Sequence, residues 1–331
     1  MIRVLVSRRL PSDAALARLL DEPGLDVEVW PGGAPPTAAE LADLAAPCAG
    51  LLTMLTERLD AELLDHCPGL RVVANMAVGL DNVDVEAATA RGVLVTNTPG
   101  VLTEATADLT FALLLAAARR LPEGAAAVHE GRWGSWQPDW LLGRELHGAT
   151  LGIIGPGRIG AAVARRAQGF GMAVLYHGRR EAPGFPGRRA SWGDLLAEAD
   201  VVSAHVPLTT ETERMFNAAA FAAMRPGAIF VNTARGGVVD QQALRAALVS
   251  GHLGGAALDV TTPEPLSPDD ALLTAPNLLV LPHLGSATGE TRARMAELAV
   301  DGLLAGLRGE RPEHLVNPAA WGAAAQAGAR L

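Results

Sequence analysis

The stretch from Thr150 to Arg180, TLGIIGPGRIGAAVARRAQGFGMAVLYHGRR, constrains this chain more than any other. An apolar run, Leu151 to Ile154, enters Gly155-Pro156-Gly157-Arg158-Ile159-Gly160. A helical segment follows, with Val163, Ala167 and Phe170 three and four residues apart. Gly171 then breaks the pattern before a second apolar run, Met172 to Tyr176. Strand, glycine turn, helix, strand is the setting in which G-x-G-x-x-G binds a dinucleotide. Gly155 permits the tight turn, Gly157 lets a pyrophosphate approach the backbone, and Gly160 allows close packing of helix on strand. The helix N-terminus offers unpaired N–H groups and partial positive charge to phosphates.

The end of the second strand bears on which dinucleotide. An NAD site places Asp or Glu about 20 residues past the turn, on the ribose 2′-hydroxyl. Here the chain reads Tyr176-His177-Gly178-Arg179-Arg180, and no acid appears before Glu181. Guanidiniums at Arg179 and Arg180 beside the small Gly178 suit a 2′-phosphate, which takes bidentate donors. A solvated basic turn is the other reading. The expected cofactor is NADPH, with NADH as the weaker alternative.

Composition narrows the rest. At 331 residues the chain is long enough for two domains with good cores. All 27 basic residues are Arg, and the net charge of −9 argues against nucleic acid or an anionic membrane as partner. Two isolated cysteines, Cys48 and Cys67, make neither a disulfide framework nor a zinc knot, which fits a reducing cytosol. The start, MIRVLVSRRLP, has too short an apolar core for a signal peptide. The longest uncharged run, Ala271 to Gly289, is broken by Pro276, Asn277 and Pro282 and cannot span a bilayer. We expect a soluble, cytoplasmic protein with no metal.

Apolar runs and helical stretches alternate along the whole chain. Strands are expected at Ile2–Val6, Leu25–Trp30, Gly50–Leu55 and Leu70–Ala74. Helices are expected after Ser12 and Thr37 as caps, and over Asp60–His66. A short strand from Val93 leads to a long helix, Thr103 to Arg120, whose FALLLAAA core reads as buried and as a bridge between domains. After the glycine turn come apolar strands at Val201–Val206, Ala228–Asn232, Gly255–Val260 and Leu278–Leu281, with helices between, and a long helix from Thr291 to Arg308. This is the pattern of an α/β fold with doubly wound parallel sheets. The Ala/Gly-rich tail from Ala319 reads as frayed. Residues 129–143, HEGRWGSWQPDWLLG, hold three of the six tryptophans, Trp133, Trp136 and Trp140. They mark either a surface covered by a partner or an internally packed loop.

Three strand ends in the second half carry ionisable groups: NTARGGVVD with Arg235, LDVTTPEPL with Glu264, and LPHLGSATGET with His283. Singly they read as a salt-bridge partner, a loop acid and a buried histidine. Together, behind a dinucleotide site, they can converge at the carboxyl edge of the sheet. In the first half, the loops after Leu52 and after Asn75, the latter with Val78 and Gly79, leave strand ends where open α/β sheets take ligands.

On the glycine turn, NTARGGVVD, LDVTTPEP and PHLGSAT, the chain resembles the D-2-hydroxyacid dehydrogenase family, and through GRWGSWQPDWLLG and VLYHGRR its glyoxylate/hydroxypyruvate reductases. The resemblance runs over essentially residues 1–317. It implies two Rossmann-like domains: a discontinuous substrate domain, 1–98 plus 284–331, and an inserted NAD(P)-binding domain, 99–283. It implies reduction of a small 2-oxo acid such as glyoxylate or hydroxypyruvate by hydride transfer. Arg235, with the N–H groups of Val78 and Gly79, would hold the carboxylate, His283 would be the proton donor, and Glu264 would hold its ring. Leu55 and Ser286 join the substrate set, and Trp140 would reach the pocket of a neighbour in a homodimer. Gly155, Gly157, Arg158, Ile159, Gly160, Gly178, Arg179, Arg180, Thr233, Asp259 and Gly285 would hold the cofactor, and His205, Val206 and Pro207 would line its adenine side. Pro156 departs from expectation, since it removes one backbone N–H from the turn. A nucleotide-sensing, corepressor-like binding protein uses the same fold, and a phosphoglycerate dehydrogenase shares the turn and triad; the intact Arg, Glu and His count against the first.

Overall fold

The computed structural model describes residues 1–321. They form two compact units, one from Met1–Leu102 with the chain from Ala287 onward, the other Thr103–Ser286. The boundaries fall a few residues beyond the expected 98/99 and 283/284. The reason is local: Thr103 opens a helix of the second unit, and in the His283 loop Leu284 and Gly285 donate to the Asp259 carboxylate of that unit.

The first unit carries β1 (Ile2–Val6), α1 (Asp13–Leu20), β2 (Leu25–Val29), α2 (Ala38–Ala45), β3 (Gly50–Thr53), α3 (Ala61–His66), β4 (Val72–Asn75), α4 (Val85–Ala90) and β5 (Leu94–Thr96). Its sheet is parallel, in the order β2-β1-β3-β4-β5. Helix starts follow side-chain chemistry. Ser12 accepts from the Ala15 N–H, Thr37 forms a reciprocal capping box with Glu40, and Asp60 and Asp84 cap α3 and α4. Strand residues alternate between two buried faces. Val4, Val6, Val72 and Ala74 pack toward one set of helices, and Leu5, Leu51 and Val73 pack the other way. The long helix from the end of the chain (Gly289–Leu307) completes the first of these faces with Met295, Ala299 and Leu303. Asn317 then ties the chain to β5, accepting from the Val95 N–H at 2.8 Å and donating to the Val93 carbonyl at 2.8 Å. Residues 318–321 are helical and Ala320 is buried; the rest of the expected frayed segment lies outside the described residues.

The second unit carries α5 (Thr103–Ala118), α6 (Leu121–His129), β6 (Thr150–Ile154), α7 (Arg158–Gly169), β7 (Ala173–His177), β8 (Arg188–Arg189), α8 (Trp192–Glu198), β9 (Val201–Ala204), α9 (Ala218–Ala223), β10 (Ala228–Asn232), α10 (Gln241–Val249), β11 (Leu253–Leu258) and β12 (Leu278–Val280). The parallel sheet runs β12-β11-β10-β9-β6-β7-β8. Read from the β8 edge this is the doubly wound dinucleotide-binding order, with its switch point between β6 and β9. α5 packs on the sheet of this unit, with Phe111, Leu113, Leu114 and Ala117 buried, while Glu104 and Asp108 stay exposed and pair with Arg166. Phe216, Phe221 and Phe230 fill the opposite face, with Phe216 and Phe230 centroids 4.7 Å apart.

Cys48 and Cys67 are buried free thiols; burial, with Cys48 nearby, pushes Cys67 up to about 11. Among the described residues no helix is long and apolar enough to cross a membrane.

Candidate active site

Every catalytic candidate of the second unit sits just beyond the carboxyl end of a strand. β6 ends at Ile154, and Gly155 follows with φ 99°, a left-handed backbone that favours glycine. A Cβ there would lie 2.5 Å from the His205 carbonyl oxygen, and one on Gly160 would lie 2.4 Å from the Gly155 carbonyl oxygen. Over Gly157 the space is open. Gly157 is the N-cap of α7 and no side chain caps that helix, unlike those begun by Ser, Thr, Asn or Asp. The turn therefore fits a dinucleotide: two glycines close the fold beneath it, one leaves its backbone accessible, and the first N–H groups of α7, from Arg158 and Ile159, have no side-chain acceptor. Of the residues expected to flank the nucleotide, His205 is drawn down to about 3 by burial and stays neutral, bonded to the Ser203 hydroxyl at 2.9 Å. Val206 lies beside Gly155, and the Pro207 carbonyl accepts from Thr212. Arg179 and Arg180 are exposed at the end of β7. The Thr209 hydroxyl first, and the Arg179 charge with it, hold the Glu211 carboxyl below its usual range.

The loops after β10, β11 and β12 meet. Glu264 Oε2 lies 2.9 Å from His283 Nδ1, and Glu264 Oε1 accepts from the Thr261 N–H at 3.0 Å. Burial works to raise the Glu264 carboxyl. The His283 hydrogen bond and charge, the Thr261 N–H and the Arg235 charge outweigh that and hold it below its usual range. Arg235 thus belongs to the same electrostatic cluster. Its backbone carbonyl accepts from Asn232 at 2.8 Å, and Gly236 next to it stacks so tightly on Thr261 that a Cβ would fall 1.9 Å from the Thr261 carbonyl oxygen. The small residues after Arg235 let its loop lie against the loop of Glu264.

His283 has φ 56°, a left-handed conformation that costs a non-glycine residue about 1–2 kcal/mol. Asp259 holds it there. The His283 N–H donates to the Asp259 carbonyl at 2.9 Å, while the carboxylate accepts from Leu284 at 2.6 Å and Gly285 at 2.8 Å. Burial raises the Asp259 carboxyl above its usual value, against those N–H donors. Beside its expected place at the cofactor, Asp259 anchors the His283 loop. Thr233 is buried and shares a 2.9 Å hydrogen bond with Thr110, and Thr106 donates to the Gly285 carbonyl at 3.1 Å. Ser286 follows, half-buried.

Leu55, Val78 and Gly79 lie in the first unit, on the loops after β3 and β4. Buried Glu57 shapes the first of these loops, accepting from Ser7 and from the Met54 N–H. Asn75 and Asn97 shape the second, donating to the carbonyls of Gly79 and Val78. Trp140 stands in an irregular stretch of the second unit, half-buried, with Trp133 60% and Trp136 82% exposed. The two exposed rings are not packed inside the loop.

Residues 111–285 match the family described as D-isomer specific 2-hydroxyacid dehydrogenase, NAD binding domain. A glyoxylate reductase of Korarchaeum cryptofilum is 48% identical over 320 residues, 95% of this chain and 96% of the relative. The chain belongs to the D-2-hydroxyacid dehydrogenase family. Among solved structures, a Thermus thermophilus protein superimposes with a TM-score of 0.90 at 54% identity, covering 95% of this chain and all of that one. An NADPH-dependent glyoxylate/hydroxypyruvate reductase of Sinorhizobium meliloti, solved with NADP and malonate, gives 0.84 at 36% identity, covering 95% and 96%. This dehydrogenase is therefore an oxidoreductase that takes a nicotinamide dinucleotide, and the matched segment contains Arg235, Glu264 and His283.

Several positioning residues of the dehydrogenase escaped sequence reasoning. Thr106 and Thr110 sit in a helix where threonine reads as an indifferent helix residue. Their signal is the four-residue spacing, which sets both hydroxyls on one face. Glu57 and Asn75, both buried, and half-buried Asn82 form a polar network that sequence shows only as scattered polar residues.

Proposed function

We propose that this dehydrogenase reduces small 2-oxo acids, glyoxylate and hydroxypyruvate foremost, with NADPH preferred and His283 as general acid. The observation that carries the reading is the 2.9 Å Glu264–His283 pair on a loop clamped by Asp259, in the same unit as the glycine turn. The dinucleotide, when bound, supplies the hydride. Arg235 binds the substrate carboxylate with its planar fork and polarises the adjacent carbonyl. Glu264 accepts from Nδ1 and fixes the ring, leaving Nε2 to give its proton to the oxygen that becomes the hydroxyl. Leu55, Val78, Gly79 and Ser286 are assigned to substrate contact; Thr233, Asp259 and Gly285 to the nicotinamide end; His205, Val206 and Pro207 to the adenine end.

Steady-state reduction of glyoxylate, hydroxypyruvate, pyruvate and phenylpyruvate with each cofactor tests this. Glyoxylate and hydroxypyruvate with NADPH should give the highest kcat/KM; no turnover of either would end the reading. For the cofactor, losing a charge-assisted phosphate contact costs about 1.5–3 kcal/mol, or roughly 10–150-fold. Arg179→Ala with Arg180→Ala should erase most of an NADPH preference of that size. Equal kcat/KM for NADPH and NADH in the unmodified protein contradicts it.

We also infer a homodimer closed through the tryptophan-rich stretch, with Trp140 completing the neighbour's substrate pocket. The exposed Trp133, Trp136 and Leu142 supply the apolar surface such an interface covers. Sedimentation should give a dimer, and a Trp136→Glu protein should dissociate. An active monomer at micromolar concentration contradicts the assignment. The cytosol, where thiols such as Cys48 and Cys67 stay reduced, is the compartment we assign.

A further inference from the structure

The glycine turn and the end of β7 are built together. The Gly155 N–H donates to the His177 carbonyl at 2.9 Å, so the residue after β6 is tied to the last residue of β7. Pro156 and Gly178 follow those two residues in step, and they meet. A Cβ on Gly178 would stand 2.6 Å from Cδ of Pro156 and 2.9 Å from its Cγ. Non-bonded carbons rest at about 3.5–4.0 Å, so a side chain there overlaps the ring. The ring cannot swing aside, because it closes on its own backbone nitrogen with φ fixed. Gly178 itself lies outside the left-handed region, so its backbone does not demand glycine. The proline does.

Gly178 occupies the strand end where dinucleotide folds place the acid that accepts from the ribose 2′-hydroxyl. We propose that Pro156 is a specificity-determining residue: its ring keeps position 178 bare, barring a carboxylate and leaving that space to a 2′-phosphate. The inference rests on the NADPH reading. Arginines lie next to the bare position: Arg179 and Arg180 follow it in sequence, and Arg189 donates to the Gly178 carbonyl at 3.4 Å. This gives the missing N–H of Pro156 a counterpart: the turn loses one donor at the pyrophosphate and gains selectivity at the ribose.

The test uses Gly178→Ala, Pro156→Ala, the double variant, and Gly178→Asp in both backgrounds. Thermal midpoints are measured without cofactor, and NADPH and NADH binding by nicotinamide fluorescence. With Pro156 present, Gly178→Ala should lower the midpoint by roughly 2–10 °C, as overpacking does. It should also weaken both cofactors by about tenfold. Pro156→Ala removes both overlapping ring atoms, and in that background Gly178→Ala should cost neither. Gly178→Asp should bind NADH about tenfold tighter with Pro156→Ala than without it. A Gly178→Ala protein with the parent's midpoint and affinities would overturn the proposal, as would losses that persist in the Pro156→Ala background. Equal binding of both cofactors by the parent would instead overturn the NADPH reading, while the cofactor-free coupling between positions 156 and 178 would still decide the steric claim.

Discussion

His283→Ala should lower kcat for glyoxylate reduction by roughly 10²–10⁴, the usual worth of a positioned proton donor. NADPH binding should be essentially unchanged, because the phosphates are assigned to the turn after β6 and not to the loop after β12. Folding should hold as well. The left-handed backbone at position 283 is maintained by Asp259 accepting from Leu284 and Gly285, bonds that alanine leaves in place. His283→Asn is the control for backbone strain, since asparagine suits a left-handed position and carries no titratable proton. Both variants should show the same loss of kcat with the parent's thermal midpoint. A His283→Ala enzyme with near-parental turnover would show that another group supplies the proton.

Arg235→Lys should raise KM for the oxo acid and lower kcat together, reducing kcat/KM by roughly 10–150-fold. An ammonium keeps the charge but cannot reproduce two parallel N–H donors against a carboxylate. The loss therefore reports geometry more than charge, and Arg235→Ala should be worse still. Arg235 also helps hold the Glu264 carboxyl down, so the lysine variant should keep most of that influence while alanine loses it. Initial rates over a range of glyoxylate concentrations, at fixed saturating NADPH, separate KM from kcat. Parental kinetics for Arg235→Lys would remove the carboxylate-binding assignment.

The legible parts of this fold were those governed by short-range chemistry. β3, β6 and β10 are near-continuous apolar runs because both faces of each sheet are covered. Helix starts at Ser12, Thr37, Asp60, Ser191 and Asn217 are set by the cap residue itself. What escaped depends on partners distant in sequence. α4 is too short and too alanine-rich to show a period, α6 is cut from α5 only by the left-handed Arg120, and β8 is two arginines that pair with β7. The site divides the same way. Arg235, Glu264 and His283 each follow a recognisable strand, so their positions could be read in sequence. The Thr110–Thr233 and Thr106–Gly285 contacts join residues more than a hundred positions apart, and the four-residue spacing of the two threonines marks their shared face but not the partners it meets.

The Glu264–His283 pair is the centre of the account, and the pH dependence of glyoxylate reduction tests it most directly. His283 is what holds the Glu264 carboxyl down, so the carboxylate persists below its ordinary value of 4.5 and the pair stays intact through the acid side of the profile. The same pair fixes the imidazole ring through Nδ1. Glu264→Gln removes the anion and keeps an acceptor for the ring. Substantial turnover should remain, and the loss of rate that the parent shows on the acid side once Glu264 is protonated should be abolished, because no carboxyl is left at position 264 to take up a proton. Superimposable profiles for the parent and Glu264→Gln would contradict it.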